Sequence, residues 1–268
     1  MRRFLHVLLL LALVGGVLLT TGCMDKLNYL RARNELNHGV RAFSQSNYQV
    51  AVQRFDQAIE YDPELLAARS YRASSFMMQY IPGGESEENM QIARQALDGF
   101  QGVLDRDEKN EVALASMASL YFSMREFEMS KETYRALLAV NPQNKEAHYT
   151  IGVINWSITF PRDMQVRAEI GMQLDEPGPI KDEDARQELA EQNLPLIEEG
   201  LDALNAAIEI DPQYDDAMAY VNLLYRRWAD IAESSEEYEK YTTTADEWVQ
   251  KSLETKKIKA EAAIQEFQ

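Results

Sequence analysis

An all-α fold built from tandem helix pairs is what this sequence predicts, and three observations carry it. From Leu27 onward apolar residues recur at every third or fourth position, and no alternating run of β-branched residues is long enough for a sheet. Asp62-Pro63, Asn141-Pro142 and Asp211-Pro212 each close a segment rich in alanine and leucine, and Asp107-Glu108 stands in the same place without the proline. Glu108 and Pro142 are 34 residues apart, and the other two intervals are longer by insertions of 11 and 36 residues that coincide with clusters of proline and glycine.

Composition bounds the function. With 268 residues, 46% hydrophobic and 26% charged, the chain can bury a substantial core. Lysine and arginine total 27 against 44 acids, a formal charge of -17 with no basic patch, so the chain is expected to repel nucleic acid and anionic headgroups.

The N-terminus reads as a targeting segment. Arg2 and Arg3 precede an apolar run from Phe4 to Leu19 interrupted only by His6 and glycines, and Thr20-Thr21-Gly22-Cys23 follows. This resembles a bacterial lipoprotein signal, in which a small residue precedes the cysteine that receives lipid. Gly22 and Cys23 match that pattern, while Thr20 stands where leucine is usual and Leu19 lies one place early. The resemblance implies cleavage after Gly22, lipid on Cys23, the one cysteine of the chain, and a mature protein in the cell envelope facing the periplasm. Met24 after the cysteine, rather than aspartate, favours the outer membrane under the sorting rule of some bacteria. The alternative is an uncleaved transmembrane anchor, since about 19 residues can just span a bilayer.

After a tether at 23–31, residues 32–268 divide into repeats at about 32–65, 66–110, 111–144, 145–214 and 215–257, with a capping helix running on to 268. Insertions are expected at about 80–90, 157–185 and 230–236. In the stretch from Asn47 to Pro63, Tyr48, Ala51, Phe55, Ala58 and Ile59 fall on one helix face, and Gly39 supplies a small residue on the helix before it. Ala118, Tyr121, Phe127, Tyr134 and Pro142 repeat the arrangement, with Ser130 in place of alanine. Ala73, Phe76, Ala96 and Phe100 give a second copy, and Gly152, Gly200, Leu204, Ala207 and Pro212 a fourth. Tyr225 and Ala245 give a fifth, from which Asn222 and Val249 depart.

On these residues the chain from about Ala32 resembles a tetratricopeptide repeat protein with long insertions, an α-solenoid of helix-turn-helix units. The small residue lets two helices approach, the aromatics fill the space between successive pairs, and no unit buries its face alone. Within the large insertion the pattern predicts a short helix from Arg162 to Met172, a break at Pro177 to Pro179, and a long helix begun by Asp182, Glu183 and Asp184 that Pro195 kinks or interrupts. The insertion either packs on the outside or covers a binding groove. Ser234 and Glu237 read as the N-terminal cap of a final helix whose inner side includes Trp248 and Leu253.

The resemblance implies a concave surface made by the first helix of each pair and a protein or peptide partner. Helical spacing places Leu36, Val40 and Phe43 there, then Ser70, Ser74 and Met77, then Ala115, Ser119 and Phe122, then Tyr149, Val153 and Trp156, and finally Leu223 and Arg226. Phe43, Met77, Phe122 and Trp156 would suit an amphipathic helix, unless they meet the chain's own insertion or C-terminal helix. The lysine and asparagine clamp with which some relatives hold a C-terminal carboxylate is absent.

Catalytic, cofactor and metal chemistry finds no support. His38 and His148 stand alone, and the faint calcium loop at Asp105, Asp107 and Glu111 has Lys109 and Asn110 at the wrong places. The function expected is a non-enzymatic, membrane-anchored scaffold for protein interaction. The alternative is an accessory subunit of an outer-membrane assembly, pilus or secretion machine.

Overall fold

Asp-Pro and Asn-Pro close the helices for a reason visible in the computed structural model, which describes residues 24–173 and 176–266. The Oδ1 atoms of Asp62, Asn141 and Asp211 accept from the backbone N–H two residues on, at 3.2, 3.2 and 3.0 Å. The proline between fixes φ and holds the preceding residue extended, with ψ of 91°, 87° and 94°. Leu65, Asn144 and Tyr214 then donate back to the carbonyls of Asp62, Asn141 and Asp211, and Asn110 donates to Asp107 in the same way at 3.0 Å. The second repeat therefore keeps the turn without its proline.

Ten helices follow among the described residues, with no strand. They are α1 (24–44), α2 (Tyr48–Tyr61), α3 (Leu66–Met77), α4 (Glu87–Leu104), α5 (Glu111–Ser123), α6 (Phe127–Val140), α7 (Lys145–Glu169), α8 (Glu183–Ile210), α9 (Asp215–Asp230) and α10 (Ser235–Glu266). Asn47, Ser86, Asn110, Asn144 and Asp182 each accept from the N–H three residues on, satisfying an otherwise unpaired donor of the helix that follows. Ser46 and Arg125 occupy matching left-handed turns, at φ 59° and 62°, where α1 gives way to α2 and α5 to α6.

The chain divides into two compact units, one ending at Arg125 and one starting at Glu126. In the first, Ala32, Leu36, Ala51, Phe55, Ala58 and Ala68 form one apolar cluster across α1, α2 and α3. Ala73, Ala96, Phe100, Val103, Ala113 and Leu120 form another across α3, α4 and α5. In the second, α7, α8 and α9 share a cluster that includes Leu189, Ile197, Leu201, Leu204, Val221 and Leu224. Small residues bring the pairs together as expected. A Cβ on Gly39 would lie 2.6 Å from Phe55 Cδ1, on Gly152 2.7 Å from Leu204 Cδ2, and on Gly99 2.8 Å from the Ala73 Cβ.

Four expectations are corrected. Residues 24–31 are the first turns of α1 rather than a tether. Phe160-Pro161 does not end a helix, and no separate helix spans Arg162 to Met172: α7 runs unbroken through Pro161 to Glu169. Pro195 likewise lies inside a continuous α8. The 36-residue insertion therefore lengthens both helices of the fourth pair and adds a connecting segment at their far end. A proline inside a helix costs about 3 kcal/mol, offset here by the side chains that the lengthened helices bury against each other and by Arg162, which donates to the Gln192 carbonyl and to Asn193 Oδ1 at the level of both prolines. The connecting segment docks at the end of α9, where Ile180 is fully buried and donates to the Asp230 carbonyl.

Finally, the insertion at 230–236 is only a short turn, and the second helix of the fifth pair and the terminal cap are one helix, α10. Ser234 caps it by accepting from Glu237 N–H at 3.1 Å, while Glu237 reaches back to Glu233 N–H at 3.0 Å. Ala245 and Ser252 are buried against α9, where Ser252 donates to the Asp215 carbonyl at 2.9 Å, but Leu253 is 56% exposed, so the inner side of α10 passes through Ser252 and not Leu253. The leader 1–22 and Cys23 lie outside the described residues.

Gly39→Ala should lower the stability of the protein by about 1–3 kcal/mol, because the buried Phe55 ring has nowhere to move; urea unfolding of both proteins measures the difference.

Candidate functional site

The first helix of each pair carries the residues expected to line a binding face, and the two units treat them differently. In the first unit Leu36 is only 7% exposed and belongs to the apolar cluster, a correction that follows from its being one turn from Ala32 and Gly39 on the inner side of α1. Val40 and Phe43 pack at the margin of that cluster. The Phe43 ring meets Tyr48 edge-on at 5.4 Å and Tyr71 at 5.7 Å, and Tyr71 stacks on Phe55 at 5.6 Å. Ser70 and Ser74 on α3 and Ala115, Ser119 and Phe122 on α5 are half-buried, while Met77 packs on the second cluster beside Tyr80, Met117 and Met124. The result is a mixed apolar and hydroxylic surface on α1, α3 and α5 with Tyr71, 38% exposed, at one edge.

In the second unit the corresponding side chains close on one another. Val153 is buried, which corrects its placement on a solvent-facing surface. Tyr149 contacts Tyr214 at 5.0 Å and Tyr220 at 5.6 Å, and Trp156 meets Tyr220 edge-on at 5.5 Å while stacking on Phe160 at 5.2 Å. Trp156 Nε1 is buried with no oxygen or nitrogen partner. Burial raises the Tyr149 and Tyr214 hydroxyls above the usual phenol value, and the Tyr214 hydroxyl donates to Glu146 at 2.6 Å. Phe160 belongs to the expected insertion at 157–185, so it is the chain's own insertion that meets Trp156. Tyr241 of α10 stacks on Trp228 at 4.8 Å. Leu223 is half-buried, and Arg226 is tied to Asn222 at 2.9 Å and to Asp246 at 2.7 Å.

The sequence reading omitted Tyr71 and Tyr220. Each lies six residues past its helix N-cap, Leu65 and Tyr214, a shared register that could have marked both.

Beneath the second unit's surface lie two polar networks with no counterpart in the sequence reading. Lys131, 3% exposed, donates to Asn155 Oδ1 and Glu199 Oε2, both at 3.2 Å, and Asn155 Nδ2 donates to the same Glu199 oxygen at 3.0 Å. Burial works against the Glu199 carboxylate, yet hydrogen bonds from Arg135, Asn155 and Lys131 hold it below the ordinary glutamate value. The second network joins α7, α8 and α9. Asp163, fully buried, accepts from Asn193 at 2.8 Å and from Arg227 at 2.9 Å. Arg227 also lies 3.0 Å from Asp230, which pairs with buried Arg167. Burial pushes the Asp163 carboxyl up to about 7, against the pull of Arg227.

These groups latch helices together, and no nucleophile stands among them with a base to activate it. Among the described residues no three His, Cys, Asp or Glu side chains are grouped to hold a metal ion. His38 is exposed, and a ring nitrogen of His148 lies 3.1 Å from the Pro142 carbonyl.

Comparison with known proteins agrees with the helix pairing. The tetratricopeptide repeat family matches residues 36–103 and again residues 112–144. A search of curated protein sequences finds no match. Among solved structures, the chain is similar to MamA with a TM-score of 0.59 at 13% identity, over 86% of this chain and 94% of that one. A MamA from Desulfovibrio magneticus RS-1 gives 0.57 at 14% identity, over 85% and 96%. YrrB, described as a TPR protein with an unusual peptide-binding site, gives 0.51 at 15% identity, over 83% and 90%. The fold class is thus all-α, of tetratricopeptide repeat type.

Asp163 fixes a pH dependence. Its folded-state pKa of about 7 lies above the ordinary 3.8, so between these values the folded protein holds a proton that the unfolded chain has lost. Stability from this group is complete below the lower value and lost as pH rises through the upper one. The urea midpoint should fall from pH 5 to pH 7.5, and Asp163→Asn should flatten that fall.

Proposed function

We propose that the protein is a non-enzymatic, membrane-anchored scaffold of the bacterial envelope that holds a protein or peptide partner on the first-helix face of its first unit. The observation that carries this reading is the half-exposed face on α1, α3 and α5, where Val40, Phe43, Ser70, Ser74, Ala115 and Ser119 offer apolar contact and hydroxyl groups together. Paired helices of this type present such faces to extended or helical peptides, and the peptide-binding site described for YrrB supports the same use here. The second unit is less suited, since its aromatic side chains already contact one another.

Anchoring rests on the order of residues at the N-terminus: two arginines, an apolar run, and a lone cysteine after glycine. No helix among the described residues is long and apolar enough to cross a membrane, so an anchor has to come from the leader or from lipid on Cys23. The periplasmic side, and the outer membrane in preference to the inner, follow from that signal.

Two experiments test the reading. Metabolic labelling with a fatty acid should mark the wild type and not Cys23→Ser; an unlabelled wild type overturns the lipid anchor. Crosslinked isolation from detergent extracts should recover protein partners that Ser74→Arg combined with Ser119→Arg reduces at least several-fold without lowering thermal stability. Recovery unchanged by those substitutions removes the face. A partner in fixed stoichiometry would make the protein a subunit of a larger assembly, and many weak partners a general scaffold.

A further inference from the structure

We propose that the first turns of α1 are a docking face for the membrane surface, with anionic phospholipid headgroups as the partner. The inference rests on the anchored reading above and adds to it that the protein touches the bilayer with its folded domain, not through the anchor alone.

Helical geometry separates two sides of α1. Ala32, Leu36, Gly39 and Ala42 are buried and define the inner side. At 3.6 residues per turn, Leu27 and Leu30 project in nearly the opposite direction, and they are 43% and 60% exposed. Lys26 and Arg33 flank this leucine pair on one side and Arg31 on the other, all three exposed. Tyr29, 49% exposed, lies between the inner side and Arg33, whose guanidinium stands 5.2 Å from the ring centroid. The Arg31 guanidinium stands 5.6 Å from the Tyr61 ring centroid of α2. Apolar side chains set between exposed cations, with a tyrosine at the edge, are the pattern of a helix lying at a lipid headgroup layer.

Charge distinguishes this partner from others. Residues 24–33 hold three cations and one acid in a chain of formal charge -17, so this is a local exception to an acidic surface. The rest of the protein is repelled by anionic lipid, and this segment is attracted to it. Its place in the sequence supplies the second argument. The apolar run ends at Leu19 and Cys23 directly precedes Met24, so either an acylated cysteine or an uncleaved anchor delivers Leu27 and Leu30 to the bilayer surface.

The test uses the full-length acylated protein reconstituted into vesicles of phosphatidylethanolamine with phosphatidylglycerol, or of phosphatidylcholine alone. Acylation blocks Cys23, so Leu30→Cys or Asn37→Cys introduces a single thiol for an environment-sensitive fluorophore. Asn37 is exposed on the same outward side, two turns further along. Nitroxide carried near the lipid headgroups should quench the label at position 30 at least twofold more than the label at 37 in phosphatidylglycerol vesicles. Lys26→Glu, Arg31→Glu and Arg33→Glu together should abolish that difference while the protein still floats with the vesicles. Equal quenching at 30 in the charge-reversed protein or in phosphatidylcholine, or none in a protein that floats, overturns the docking face and leaves the anchor standing. A blue shift at 30 that depends on protein concentration without vesicles makes a second copy the occupant and overturns the lipid partner. Failure to float overturns the anchor, and the docking face with it.

Discussion

Four of the helix contacts in this protein form where one helix carries no side chain at all. Gly39 lies under the Phe55 ring, Gly99 against Ala73, Gly152 under Leu204 and Gly200 under Leu224. Three of these contacts set a large residue of one helix over a missing side chain of the other, and the fourth sets an alanine there, so two backbones approach closely. The rest of the pattern depends on this. Ala51, Ala58, Ala96 and Ala207 are fully buried because the helices are already near, and larger side chains there would force them apart.

The long fourth pair needs a further device. Over the extra turns of α7 and α8 the interior is partly polar, with Asp163, Arg167, Asn193 and Asp230 buried and Arg227 half-buried beside them. Such a network is weak as a source of net stability but demanding in geometry, because sliding a helix by one turn would leave a charge buried without its partner. An apolar seam alone would tolerate that slip. The network thus fixes the register of three long helices, and a fixed register in turn lets both prolines sit within unbroken helices. Asn193 shows the coupling, since it donates to Asp163 while its side-chain oxygen receives Arg162 at the turn that carries Pro161.

Most of this fold was legible in residues whose role is local. The Asp-Pro and Asn-Pro turns, the cap at Ser234, and the glycines of the first and fourth pairs act on neighbours within a few residues or on one facing helix, and their spacing alone places them. What the sequence concealed depends on partners far away along the chain. Pro161 and Pro195 read as breaks because the cost of proline is local, whereas the packing that offsets it comes from helices some 30 to 60 residues distant. The extent of α10 was legible, since the charged stretch 254–266 reads as a capping helix; what the sequence did not mark is that this cap and the second helix of the fifth pair are one element. In the candidate site, helix membership was legible and orientation less so. Leu36 and Val153 lie a fraction of a turn toward the inner side, a rotation that spacing does not resolve.

The contrast between the two units turns on side-chain size at comparable helix positions. On α3 and α5 the outward places are taken by Ser70, Ser74, Ala115 and Ser119, too small to reach one another, so the surface between them stays partly open. On α7 the place of Ser70 and Ala115 is taken by Tyr149, whose ring meets Tyr220 edge to face, while Trp156 stands where α3 and α5 carry Met77 and Phe122 and Tyr220 where α3 carries Tyr71. One backbone plan therefore yields a face that can accept an external side chain and a face that has supplied its own. Filling the gap from within removes the apolar area that a partner would otherwise cover, and with it the driving force for binding there. Small residues on a repeat's first helix do two separate things: on the inner side they admit the second helix, and on the outer side they leave room for something that is not part of the chain.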